Sequence, residues 1–189
     1  VKLTGKAKAK FLARMKKGRK AAIKARGGKK SASGSQAYKY PMTNYRNGKK
    51  IKINEIIKKK GKEPIVCLTS YTKNISEILD KYCDLILVGD SMSMVLYGMK
   101  HTREIKLDTM ILHAKAVKNH TKKSLVVFDM PYKSYENKNL AYKNAKKVIN
   151  QTKCDAIKLE GGKKISEIIK YLTNKKIPVM GHVGLLRKK

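Results

Sequence analysis

Three acidic residues stand where apolar runs end. Asp90 closes DLILVGD, Asp129 closes SLVVFD just before Met130, and Glu160 closes DAIKLE. Their separations of 39 and 31 residues each suit one strand-helix-strand unit. Parallel neighbouring strands bring their C-terminal ends together, about 4.8 Å apart per strand, and β/α enzymes place their chemistry at that end. Like charges gathered there repel and raise one another's pKa unless a cation intervenes. A hard divalent ion with oxygen ligands neutralises them, and few carboxylates with several waters suit Mg²⁺. A Lewis acid so placed can bind a keto acid and stabilise an enolate formed beside its carbonyl. Lys158 lies two residues before Glu160, so on a strand it points the same way and offers a cation for a substrate carboxylate. Any one of these acids would pass as a helix cap or loop residue. Their recurrence at the ends of successive strands points instead to one metal-assisted site, with the substrate left open.

The elements that must position them alternate. Pro64–Ser70, Asp84–Asp90, Ser124–Met130, Asp155–Glu160 and Ile177–Gly181 are short apolar runs, as expected of buried strands. Between them, apolar residues recur at helical spacing over Ile75–Tyr82, Leu107–Asn119, Leu140–Ile149 and Ile165–Leu172. A further short helix is predicted over Ile53–Lys60, stopped by Gly61. Strands and helices alternating in this way give a parallel α/β architecture. A complete (β/α)₈ barrel takes roughly 250 residues, and residues 42–189 hold about five units. Periodicity alone leaves both an open five-stranded sheet and the front of a TIM barrel standing.

Charge divides the chain. Of 46 Lys+Arg residues, 14 fall within residues 1–41, which contain none of the 13 acids. Residues 1–41 therefore form a basic leader and SASGSQ linker, expected to be disordered alone because its cations repel, and residues 42–189 form the folded domain. Clustered cations gain from counterion release, so the leader could hold a nucleic acid. An organellar targeting role fits less well, since such segments favour Arg and Ser over Lys. The favoured expectation is that the leader is unrelated to the domain, because the chain opens at Val1 and Met42 directly precedes the domain. No apolar run is long enough to span a membrane. Cys67, Cys83 and Cys154 show no C-x-x-C pair, which argues against a zinc site or disulfide framework and suits a reducing, cytoplasmic setting.

The runs LTSYT (68–72), ILVGDS (86–91), DMPYKSY (129–135), AIKLEGG (156–162) and PVMGHVG (178–184) occur in this order. Together they resemble the ketopantoate hydroxymethyltransferase family over about residues 43–185. The resemblance implies a TIM barrel that transfers a hydroxymethyl group from 5,10-methylenetetrahydrofolate to 3-methyl-2-oxobutanoate, giving 2-dehydropantoate in pantothenate biosynthesis. It implies Mg²⁺ at Asp90 and Asp129 with Glu160 at or near the ion. The keto acid is contacted at Asp90, Ser91, Asp129 and Lys158, and the assembly is a homo-oligomer, decameric in the family. His182 is either a pocket residue or a structural loop histidine, a role many histidines fill. His101, His113 and His120 are assigned no role.

Two departures accompany the resemblance. Ser93 stands where the family usually has glycine after G-D-S, which predicts a stiffer or shifted loop. The family also continues past GHVGL into further strands and a general-base glutamate, whereas this chain closes at Leu186-Arg187-Lys188-Lys189. The expectation is an incomplete barrel with open edges, weak metal binding and poor turnover, since a missing base costs roughly 10²–10⁴-fold. Two alternatives stay open: another Mg²⁺-dependent keto-acid enzyme of the phosphoenolpyruvate or isocitrate-lyase type, and nucleic-acid binding through residues 1–41.

Overall fold

The computed structural model describes residues 49–183. The basic leader and the closing Leu186–Lys189 lie outside the described residues.

Five strands form one parallel sheet in sequential order: β1 (Cys67–Thr69), β2 (Leu85–Val88), β3 (Leu125–Asp129), β4 (Ala156–Glu160) and β5 (Val179–His182). The helices, in chain order, are α1 (Ile53–Lys58), α2 (Lys73–Leu79), α3 (Met92–Val95), α4 (Leu107–Asn119), α5 (Lys138–Thr152) and α6 (Ser166–Asn174). A parallel sheet needs both faces covered or curled, and its strands accordingly carry almost no exposed positions at β3 and β4. The sequential order is the winding of a β/α barrel.

Side-chain alternation sorts the strands into two faces. Ile86, Val88, Val126, Phe128, Ile157 and Leu159 share a buried core with Met110, Ala114 and Val117 of α4, Ala141, Ala145 and Val148 of α5, and Leu172 of α6. Small alanines at these helix positions let α4 and α5 lie close on the sheet. The opposite face begins apolar, where Leu85, Leu125, Val127 and Ala156 meet Ile51, Ile53 and Ile56. Further along the same strands it turns charged, at Asp129 and Lys158 two residues on and at Glu160 two beyond Lys158.

Carboxylates also tie the other, N-terminal end of the sheet. Asp80 accepts the backbone N–H groups of Lys122 (2.8 Å), Lys123 (2.9 Å) and Ser124 (2.7 Å), fixing the entry to β3. Asp84 accepts the Val66 N–H at 2.9 Å and faces Lys59 at 3.1 Å. Asp155 accepts from Lys50 at 2.5 Å, from Lys118, and from the Val126 N–H at 2.8 Å. Burial pushes the Asp155 carboxyl up, but these three hydrogen bonds outweigh it and hold the group below the usual carboxylate range.

Candidate functional site

Strand register sets the site's geometry. Asp129 pairs with Lys158 across β3 and β4, and Glu160 pairs with His182 across β4 and β5. Paired residues on parallel strands point to the same face, so these four side chains form one continuous patch at the C-terminal edge. Lys158 Nζ donates to Asp129 Oδ2 at 2.7 Å, with side-chain exposures of only 11% and 4%. His182 Nδ1 lies 3.3 Å from Glu160 Oε2. The cation that like-charge repulsion demands is therefore in place beside Asp129, as the adjacent strand's lysine.

Asp90 differs from its expected place. β2 stops at Val88, so Asp90 belongs to the turn that follows, where it is buried. Gly89 allows that turn to fold back over the strand end: a Cβ there would come 2.9 Å from Ser91 Oγ. Ser91 in turn meets the Tyr71 hydroxyl at 2.7 Å. Ser93 is fully buried within α3, and its N–H donates to the Asp90 carbonyl at 3.1 Å. The loop predicted to be stiffened by this serine is thus a short helix.

Glu160 is held by a residue that no sequence signal assigned. β3 ends at Asp129, so the next β4 peptide toward it has no strand to pair with. Tyr135, from the loop after β3, fills that place: its hydroxyl donates to the Glu160 carbonyl at 3.0 Å and accepts the Glu160 N–H at 3.2 Å. Ser134 and Asn144 brace the same loop, the serine hydroxyl to the Pro131 carbonyl at 2.6 Å and the asparagine amide to the Ser134 carbonyl at 2.8 Å. Tyr71 and Tyr135 both sit inside motifs visible in the sequence, but their hydrogen bonds depend on tertiary placement. His101, also without an assigned role, precedes a 3₁₀ turn, and its backbone N–H donates to the Glu104 carboxylate at 2.8 Å.

Among the described residues, no three His, Cys, Asp or Glu side chains gather closely enough to hold one metal ion. The donors at this edge are nonetheless of the right kind for a hard divalent cation. Asp90, Asp129 and Glu160 are buried carboxylates, and oxygen ligation is what Mg²⁺ takes.

A five-stranded parallel β/α sheet with buried acids and a lysine at its C-terminal edge defines the class: part of a β/α barrel with polar residues at the strand ends. The family model for ketopantoate hydroxymethyltransferase matches residues 50–189. Curated relatives agree. The chain is 57% identical over 135 residues to 3-methyl-2-oxobutanoate hydroxymethyltransferase of Pelagibacter ubique, covering 71% of this chain and 52% of the relative. It is 54% identical over 128 residues to that of Rhizobium etli, covering 67% and 47%. It is 53% identical over 136 residues to that of Anaplasma marginale, covering 72% and 49%. This chain belongs to the ketopantoate hydroxymethyltransferase family, and it spans about half the length of these curated relatives. Among solved structures, a 2,3-dimethylmalate lyase of the PEP mutase/isocitrate lyase superfamily superimposes with a TM-score of 0.51 at 11% identity. That likeness covers 68% of this chain and 50% of the lyase and shows the fold alone. No helix among the described residues is long and apolar enough to cross a membrane.

Proposed function

We propose that this chain carries the keto-acid half of a 3-methyl-2-oxobutanoate hydroxymethyltransferase site, which takes its one-carbon unit from 5,10-methylenetetrahydrofolate and yields 2-dehydropantoate. The observation that carries this reading is the shared face of Asp129, Lys158, Glu160 and His182 at the C-terminal edge of the sheet, in a chain of this family.

Each side chain has a task that its chemistry suits. Asp90 and Asp129 would hold Mg²⁺, with Glu160 at or near it. When bound, the ion supplies Lewis acidity that draws electron density from a keto oxygen and makes the adjacent C–H more acidic. Lys158 keeps a buried positive charge beside Asp129 and offers it to the substrate carboxylate, for which an ammonium is a compact, adaptable partner. Ser91 presents a hydroxyl already oriented by Tyr71. His182 Nδ1 stands 3.3 Å from Glu160 Oε2 and would form an ion pair with it when protonated. The mostly buried setting of Asp129 and Lys158 keeps water from competing for them, which strengthens every interaction made there. Assembly into a homo-oligomer belongs to the same reading and is measured by sedimentation of the full chain. Nucleic-acid contact through residues 1–41 rests on their charge alone and is tested separately by a salt-dependent gel shift.

Calorimetric titration of the full chain tests the site. 3-Methyl-2-oxobutanoate should bind when MgCl₂ is present and much more weakly without it. 3-Methylbutanoate, which keeps the carboxylate but lacks the keto oxygen, should not gain from Mg²⁺. Equal binding of the two acids, or binding indifferent to Mg²⁺, would overturn the reading.

A further inference from the structure

We propose that His113 is a positioning residue of this site, acting through Tyr71 on Ser91; the inference rests on the reading of Ser91 as a substrate contact. His113 projects from α4; two hydrogen bonds lead from it through Tyr71 to the turn that carries Asp90, and a third, from Tyr97, holds its ring. Its Nδ1 lies 2.7 Å from the Tyr71 backbone carbonyl. A carbonyl oxygen only accepts, so Nδ1 must carry the proton. In the neutral ring Nε2 is then the acceptor, and the Tyr97 hydroxyl, 2.8 Å away, donates to it. The Tyr97 and His113 rings also meet edge to face, with centroids 5.9 Å apart at 90°. The last link is the Tyr71 hydroxyl on Ser91 Oγ at 2.7 Å.

This arrangement does more than fill space. Tyr71 lies in the loop after β1, where Ser70 makes the last backbone bond to β2, its N–H donating to the Leu87 carbonyl at 3.0 Å. Beyond that bond the loop has no strand partner, so the direction in which the Tyr71 phenol leaves it depends on what holds its carbonyl. His113 holds it. The rigid element is α4, buried along Met110, Ile111, Ala114 and Val117, which makes His113 a fixed post. Gly89 completes the arrangement, since a Cβ there would come 2.9 Å from Ser91 Oγ, the atom that meets the phenol, and one of them would have to shift. The Nδ1–H tautomer is the less populated form of a free neutral histidine side chain. Its use here is a choice made by the Tyr71 carbonyl and supported by Tyr97 from the other side.

The test uses the full chain with His113→Ala, His113→Asn and Tyr71→Phe, checked for native circular dichroism. Asparagine keeps an N–H near the place of Nδ1, so it separates loss of the hydrogen bond from loss of the ring. Loss of one positioning hydrogen bond should weaken Mg²⁺-dependent binding of 3-methyl-2-oxobutanoate by about 5–10-fold in His113→Ala and in Tyr71→Phe. His113→Asn should stay within about twofold of wild type, and the double variant His113→Ala/Tyr71→Phe should be no weaker than either single one, because the residues act in series. The Ser91 amide resonance should move in His113→Ala and return in His113→Asn, and the ring carbon shifts of His113 should report the Nδ1–H tautomer. Unchanged binding in His113→Ala, additive losses in the double variant, or an Nε2–H tautomer would overturn the proposal. A wild-type chain that binds no keto acid overturns the functional reading instead. The contact chain is then judged by the Ser91 resonance, and a signal unmoved by His113→Ala sinks it.

Discussion

Replacing Lys158 with methionine removes the cation facing Asp129 while nearly keeping the side-chain volume. The pair is 2.7 Å apart, with exposures of 11% and 4%, so neither charge can recover full hydration where it stands. Breaking a buried pair by removing one partner costs about 3–5 kcal/mol. The C-terminal edge lies near solvent, so the lower end applies, about 3 kcal/mol. In a domain of this size that lowers the melting temperature by roughly 9 °C and the urea midpoint by about 1–2 M. The double substitution Lys158→Met/Asp129→Leu takes both charges away and should return to within about 1 kcal/mol of the parent. Urea unfolding followed by circular dichroism at neutral pH measures all three. MgCl₂ adds a second reading: if Asp129 is a metal ligand, the ion should restore more stability to Lys158→Met than it adds to the parent, because it replaces the missing cation. A single variant that loses under about 1 kcal/mol, or a double variant as unstable as the single one, would refute the reasoning.

Other outcomes follow from the same structure. The Asp155 carboxyl is held below its ordinary range, so unfolding takes up a proton there in mild acid. Its contribution is fully present above the unfolded carboxylate pKa, near 3.9, and is lost as pH falls through the lower folded value; Asp155→Asn should therefore flatten the acid limb of a stability–pH curve. Tyr135→Phe removes both hydroxyl bonds to the Glu160 peptide, costing about 1–3 kcal/mol, and amide exchange at Glu160 should speed up before the rest of β4 does. Gly89→Ala places a carbon 2.9 Å from Ser91 Oγ and should impair keto-acid binding far more than it impairs folding, read by calorimetry beside thermal melting. Burial pushes all three thiols up, those of Cys83 and Cys154 to about 11, but of the three only Cys67 is exposed to reagent. A thiol titration at mildly alkaline pH should find one fast cysteine in the native protein and three in urea.

The strength of each sequence signal explains how much was legible. Leu107–Asn119 is predicted and observed with the same ends, because a five-residue apolar stripe lies on one helical face. The first four strands lie within the apolar runs but are shorter, as with Cys67–Thr69 inside Pro64–Ser70, since pairing stops where the neighbouring strand turns away; the fifth, Val179–His182, starts later than predicted and runs one residue past Gly181. Asp90 shows the consequence: an apolar run carries on to residue 90, but the β2 ladder ends at Val88. The four-residue α3 is invisible to periodicity because Met92–Val95 completes barely one turn. Alternation alone put Lys158 and Glu160 on one face. That Asp129 meets Lys158 required the β3–β4 register, which loop geometry decides. Tyr135 was hidden for a similar reason, since its partner is a peptide group that any residue would supply. His113 was hidden because a lone histidine on a helix more often satisfies a local contact than serves a site.

The central claim is that a divalent ion and the keto acid meet at Asp129. Proton relaxation of the methyl groups of 3-methyl-2-oxobutanoate, with Mn²⁺ in place of Mg²⁺, tests it most directly. Binding beside the paramagnetic ion should broaden those signals strongly with the full chain and leave them nearly sharp with Asp129→Asn. Equal broadening in the two proteins, or none in either, would contradict the account.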